Sequence, residues 1–172
     1  IIKKDIMEIC KKKKNFKFLL LIPLRLGLNT INDLYINSLL SFFEFPQSVG
    51  IIGGKSKYSL YFIGYENKQL KYLDPHTSKS KIDNDIYFPK MNDLLSYHSM
   101  NPLSIDISEI DPSLTIGFFI KDENDFNDFL DRINNLFKNN VPVFEIKDSY
   151  EKRDISYDSI CNSDSDWEVL SV

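Results

Sequence analysis

Two residues with proton-transfer chemistry stand two apart in the segment YLDPHT, residues 72–77. They are Asp74 and His76, with Pro75 between them. A carboxylate that accepts from one imidazole nitrogen fixes the tautomer and leaves the other nitrogen free as a base. Such a pair is the orienter and base required by a thiol or hydroxyl nucleophile. Side chains at i and i+2 of an extended segment point to the same face. Pro75 fixes its own φ and pushes Asp74 toward extended conformations. An extended DPH segment would therefore hold carboxylate and imidazole side by side at the end of a hydrophobic strand. The same three residues also suit a plain turn carrying a surface histidine, which is the commoner context. The other histidine, His98 in SYHSMNP, has no carboxylate close in sequence and reads as structural.

Within this sequence the only thiols that could serve as nucleophile are Cys10 and Cys161. Cys10 ends an amphipathic helix in MEICKKKK, where neighbouring lysines could lower a thiol pKa. Cys161 lies among acidic residues that would raise it. The two are far apart and flanked by charged or polar residues, a usage that suits a reducing compartment without a disulfide framework.

The elements that must position these groups fit one domain. The 172 residues are 42% hydrophobic and 27% charged, with a net charge of −4. That is enough apolar content for a real core. A folded acidic chain is a poor nucleic-acid binder, and the one basic run, residues 11–14, reads as a solvated loop. The longest apolar run, FLLLIPL, is far too short to span a bilayer and contains Pro23. No signal peptide is visible. The chain opens IIKKDIMEIC, without an initiator methionine, and reads as a piece of a longer protein.

Residues 17–22 read as a buried strand, followed by a turn at residues 23–27. Residues 31–43 read as an amphipathic helix that Asn29 or Thr30 can cap, with Asp33 in its first turn. Strands follow at 49–54, 60–65 and 69–74, punctuated by glycine and polar residues. Pro89 opens a weak helix through Tyr97, and 115–120 is another buried strand. Residues 123–138 form the clearest helix, with Phe126, Phe129, Leu130, Ile133, Leu136 and Phe137 on one face and Asp122 as N-cap. Residues 141–146 read as a last strand. After Asp148 the chain turns polar and acidic and reads as a flexible tail. Strands mixed with segregated helices predict an α+β layer fold.

Six ordered blocks carry a resemblance: IPLRLGL (22–28), PQSVGIIGGK (46–55), YFIGY (61–65), LKYLDPHT (70–77), ISEIDPSLTIGFF (107–119) and DFNDF (125–129). Together they resemble the autophagins, papain-like cysteine peptidases of autophagy that cleave and delipidate a ubiquitin-like modifier. The resemblance runs from about residue 17 to residue 146, with a further match at the C-terminal end. It implies the C-terminal part of a papain-like fold, an antiparallel sheet packed with helices, over residues 1–147. Residues 148–172 would be the flexible tail.

The resemblance also implies roles. Asp74 and His76 match the orienter and general base of a Cys-His-Asp triad. The family nucleophile sits in a Gly-Trp-Gly-Cys-Met type motif well upstream of these blocks. This sequence has no such motif, so the nucleophile is expected outside it and the chain alone is expected to be inactive. Arg25 matches an arginine that contacts the modifier, although a surface arginine beside a turn is a nearly equal reading. Gly53, Gly54 and Lys55 begin what is in the family a short loop gating the groove. The family often has proline and asparagine next, where this chain has Ser56 and Lys57. A histidine commonly seen before YFIGY is Leu60 here.

The sequence ends SDSDWEVLSV. Trp167 and Leu170, three apart and preceded by Asp164 and Asp166, suit an extended peptide that adds a strand to a ubiquitin-like sheet edge. Some autophagins end in a similar pattern. The resemblance thus implies a cytoplasmic thiol peptidase that cleaves after a modifier's C-terminal glycine and releases it from lipid. Its partner is the modifier, precursor and lipid-conjugated. No cofactor, metal, nucleic acid or stable membrane insertion is expected. The alternative is a non-catalytic module that binds the modifier without a nucleophile.

Overall fold

In this computed structural model the structure describes residues 1–14, 16–76, 78, 95 and 102–150. Their order is α1 (Lys3–Lys13), β1 (Phe18–Arg25), α2 (Asp33–Ser41), a 3-10 turn (Phe42–Glu44), β2 (Ser48–Lys55), β3 (Tyr58–Glu66), β4 (Gln69–Leu73), β5 (Leu103–Asp106), a 3-10 turn (Ile107–Glu109), β6 (Ser113–Ile120) and α3 (Glu123–Asn139). The six strands form one antiparallel sheet in the order β1-β6-β2-β3-β4-β5. Helices intersperse with strands along the chain but pack as a layer on the antiparallel sheet, the expected α+β class.

The core lies between the helices and one sheet face. On β6 the alternate residues Leu114, Ile116, Phe118 and Ile120 are buried, as period-two patterning requires. Phe118 lies 4.8 Å from Phe129 of α3 and 5.7 Å from Phe42, ring centre to ring centre. α3 starts where its cap demands: the Asp122 carboxylate accepts from the amide of Asp125. Phe126, Phe129, Leu130 and Ile133 are buried along its inner face. Asn32, rather than Asn29 or Thr30, caps α2 by accepting from the Leu34 amide.

Two sequence expectations are corrected. Pro23 does not open a turn; β1 continues through it to Arg25. β1 is an edge strand with one neighbour, and an edge accommodates a residue that cannot donate on its open side. Residues 141–146 are irregular rather than a strand. Val141 stays exposed, Val143, Phe144 and Ile146 are partly buried against the core, and Phe144 packs against Phe42 and Phe137 at 5.8 and 5.3 Å. The backbone there serves α1 and α2 instead: Val141 O accepts from Ser38, and Lys147 pairs with Ile2. The short strand β5 was not foreseen. Of the helix expected at 89–97 only Leu95, helical and exposed, is among the described residues, and the tail beyond residue 150 lies outside them.

The other sheet face is open and apolar. Leu19 pairs with Phe119, Ile52 with Tyr61, and Tyr61 with Leu73. All of these are exposed, Leu19 at 54% and Ile52 at 52%. Among the described residues no helix is long and apolar enough to cross a membrane.

Candidate active site

The topology gathers the described candidate residues at one end of the sheet. Arg25 ends β1 opposite Ser113, the start of β6. Lys55 ends β2 opposite Tyr58, the start of β3. Leu73 ends β4 opposite Tyr61, and Asp74 and His76 follow at once. From Arg25 to the Asp74–His76 turn the sheet crosses four strand spacings, about 19 Å.

At the end of β4 the chain turns rather than continuing extended. The backbone amide of His76 donates to Oδ1 of Asp74 at 2.8 Å, the closure of an Asx turn. The same oxygen lies 2.8 Å from Nδ1 of the His76 ring. The expected contact therefore forms, but through a turn and not through an extended DPH segment. An ionised carboxylate can only accept, so Nδ1 carries the proton and Nε2 remains the basic nitrogen. The Asp74 side chain is 17% exposed and that of His76 46%.

A third residue joins the pair. The hydroxyl of Tyr58 donates to Oδ2 of Asp74. Its ring stacks on the imidazole of His76, with 4.4 Å between centroids and 14° between planes. The Tyr58 hydroxyl, and then the His76 amide, hold the Asp74 carboxyl below its ordinary range. The same hydrogen bond pushes the Tyr58 phenol up. Sequence reasoning missed Tyr58. Its only signal is register: the Tyr61–Leu73 pairing, carried three residues further along each chain, sets position 58 opposite position 76.

Gly53, Gly54 and Lys55 occupy the last three positions of β2, laddered to Leu60, Ser59 and Tyr58. The connection itself is the two-residue turn Ser56–Lys57, with Lys57 at φ 65. Lys55 forms an ion pair with Glu109 at 2.8 Å, and the amide of Asp111 donates to the carbonyl of Gly54 at 2.7 Å. Arg25 is exposed and donates to the carbonyl of Leu28 at 3.1 Å, beside a surface hollow lined by Gly27, Asn29, Thr30 and Tyr35.

Cys10 is buried on α1, 6% exposed. Burial first, and the Glu123 carboxylate second, raise its pKa, so the neighbouring lysines do not activate this thiol. His98, Cys161, Trp167 and Leu170 lie outside the described residues. Among the described residues no cluster of His, Cys, Asp or Glu could hold a metal ion.

The family model of the peptidase C54 catalytic domain matches residues 1–132. Cysteine protease ATG4B of Gallus gallus is 44% identical over 133 residues, covering 74% of this chain and 33% of the relative. Cysteine protease ATG4 of Medicago truncatula is 40% identical over 156 residues, 84% of this chain and 31% of the relative. Cysteine protease ATG4a of Arabidopsis thaliana is 35% identical over 176 residues, 97% of this chain and 38% of the relative. The chain thus spans about a third of the length of the curated relatives it matches.

Proposed function

The chain belongs to the peptidase C54 family, and on that premise we propose that Asp74 and His76 are the orienter and general base of a thiol peptidase of autophagy. The observation that carries the reading is the 2.8 Å contact between Oδ1 of Asp74 and Nδ1 of His76, which leaves Nε2 as the base. The nucleophile is a cysteine outside this sequence. Nε2 takes its proton, and the thiolate attacks the carbonyl of a C-terminal glycine in a ubiquitin-like modifier. The proton then passes to the leaving amine, of a precursor peptide or a lipid headgroup, as the acyl-enzyme forms. Water, deprotonated by the same nitrogen, releases the modifier and restores the thiol. Asp74 stabilises the imidazolium at each stage. The setting is the cytoplasm, Arg25 contacts the modifier, and the β2–β3 hairpin around Gly53, Gly54 and Lys55 borders the groove. Trp167 and Leu170 form a second contact with the modifier.

The open apolar face supports this reading. A sheet face carrying Leu19, Ile52, Tyr61 and Phe119 in register is a surface made to be covered. The curated relatives have about two-thirds more of their length with which to cover it. The test uses the full-length protein and a precursor of the organism's own modifier. His76→Ala should abolish cleavage and His98→Ala should leave it nearly unchanged. An active His76→Ala with an inactive His98→Ala overturns the assignment.

One observation favours a second reading, a module that binds the modifier without cleaving it. Among the described residues the one cysteine, Cys10, is buried with a raised pKa. A thiol-directed probe built on the modifier separates the two. Labelling of the full-length protein that His76→Ala removes supports the peptidase; binding without labelling supports the module.

A further inference from the structure

We propose that Tyr58 is a positioning residue for the Asp74–His76 pair, holding the carboxylate by its hydroxyl and the imidazole by its ring. The inference deepens the peptidase reading and rests on it.

The two contacts restrain different motions. Oδ1 of Asp74 is engaged by the amide and ring of His76, and Oδ2 by the Tyr58 hydroxyl. Held at both oxygens, the carboxylate cannot rotate without losing a partner. The stacked phenol fixes the plane of the imidazole. Within that plane the Nδ1 contact selects one of the two ring flips. Nε2 is thereby aimed in a single direction, which is what a base must offer an incoming thiol. When His76 takes a proton, the parallel stack becomes a cation–π contact. The ring then favours the charged state that the reaction passes through.

Tyr58 is itself held in place. It closes the β2–β3 hairpin opposite Lys55, and Lys55 is tied to Glu109. The hairpin therefore reaches the catalytic pair through Tyr58, which couples any displacement of its tip to the aim of His76.

Two variants of the full-length protein separate this role from simple hairpin closure. Tyr58→Phe keeps the ring and removes the hydroxyl; kcat should fall about tenfold, the worth of one hydrogen bond to a charged group. Tyr58→Leu removes both, and kcat should fall about thirtyfold as the cation–π contact is lost as well. KM should stay within about twofold in each, because neither change touches the substrate. A ring-current probe accompanies the kinetics. The His76 ring-proton resonances should be shifted upfield in the wild type and in Tyr58→Phe, and not in Tyr58→Leu. Should Tyr58→Leu fail to fold, the near-isosteric Tyr58→Phe decides alone. If both variants keep wild-type kcat while His76→Ala is inactive, the proposal is overturned and the peptidase reading stands. A fully active His76→Ala overturns both. A rise in KM with unchanged kcat reduces Tyr58 to hairpin closure and also overturns the proposal.

Discussion

Oδ1 of Asp74 accepts from both the backbone amide and the ring Nδ1 of His76, each at 2.8 Å. One atom thus fixes the turn and orients the side chain that the turn presents. In the full-length protein Asp74→Ala should remove both effects and cost on the order of a thousandfold in kcat, as expected when a triad loses its orienter.

The same carboxylate should leave a mark on acid stability. Asp74 is held below its ordinary range in the folded protein, first by the Tyr58 hydroxyl and then by the His76 amide. A depressed folded pKa contributes stability that is fully present above the unfolded value, about 3.9. That contribution is lost as pH falls through the folded value. Tyr58→Phe should therefore move the Asp74 titration up toward the ordinary range, read from its carboxyl carbon resonance. The stability gap to wild type should narrow as pH drops below about 4. An identical titration in the two proteins would refute the hydrogen bond as its cause.

Cys10 should behave as a packing residue. Its thiol is pushed up by burial and by the carboxylate of Glu123. In a Cys161→Ser background, alkylation by iodoacetamide at pH 8 should be much slower than for free cysteine. Denaturant should restore the ordinary rate. Fast labelling of the folded chain would show an exposed or activated thiol.

Gly54 should be intolerant of a side chain. It sits at φ +137, and an added Cβ would meet the carbonyl oxygen of Tyr58. Gly54→Ala should destabilise by more than about 1 kcal/mol, read from the urea midpoint. It should also lower kcat, because the hairpin it distorts carries Tyr58. Unchanged stability would mean that the hairpin relaxes freely.

The terminal motif can be tested on a peptide of residues 160–172. Strand addition gives backbone hydrogen bonds that any sequence can make, so the side chains must supply the selectivity. Trp167→Ala should remove most of a micromolar affinity for the modifier, about −8 kcal/mol at 1 μM. Leu170→Ala should rank second, and Val169→Ala should matter little because side chains alternate along a strand. Equal affinity of the wild-type and Trp167→Ala peptides in titration calorimetry would remove the tail from the functional account.

The sequence by itself determined the elements whose signal is local. α3 is legible because its apolar residues repeat at helical spacing over about three turns and Asp122 caps it. The β2–β3–β4 block is legible from short apolar runs between glycine and polar turns. Asp74 and His76 are legible because their contact spans two residues, and an Asx turn needs nothing more distant. Only the tertiary structure decided the rest. Pro23 stays in a strand because β1 lies at the sheet edge, a fact of strand order and not of composition. Residues 141–146 have a strand-like pattern yet form none, because Phe144 fits between Phe42 and Phe137. β5 has four residues and pairs only because Ile105 falls opposite Leu70 on the core face. Tyr58 meets Asp74 across 16 residues, through a hairpin and a strand register that local propensity does not encode. Hydrogen-bond register converts sequence distance into spatial contact, and it is fixed by burial of one whole sheet face rather than by any single segment.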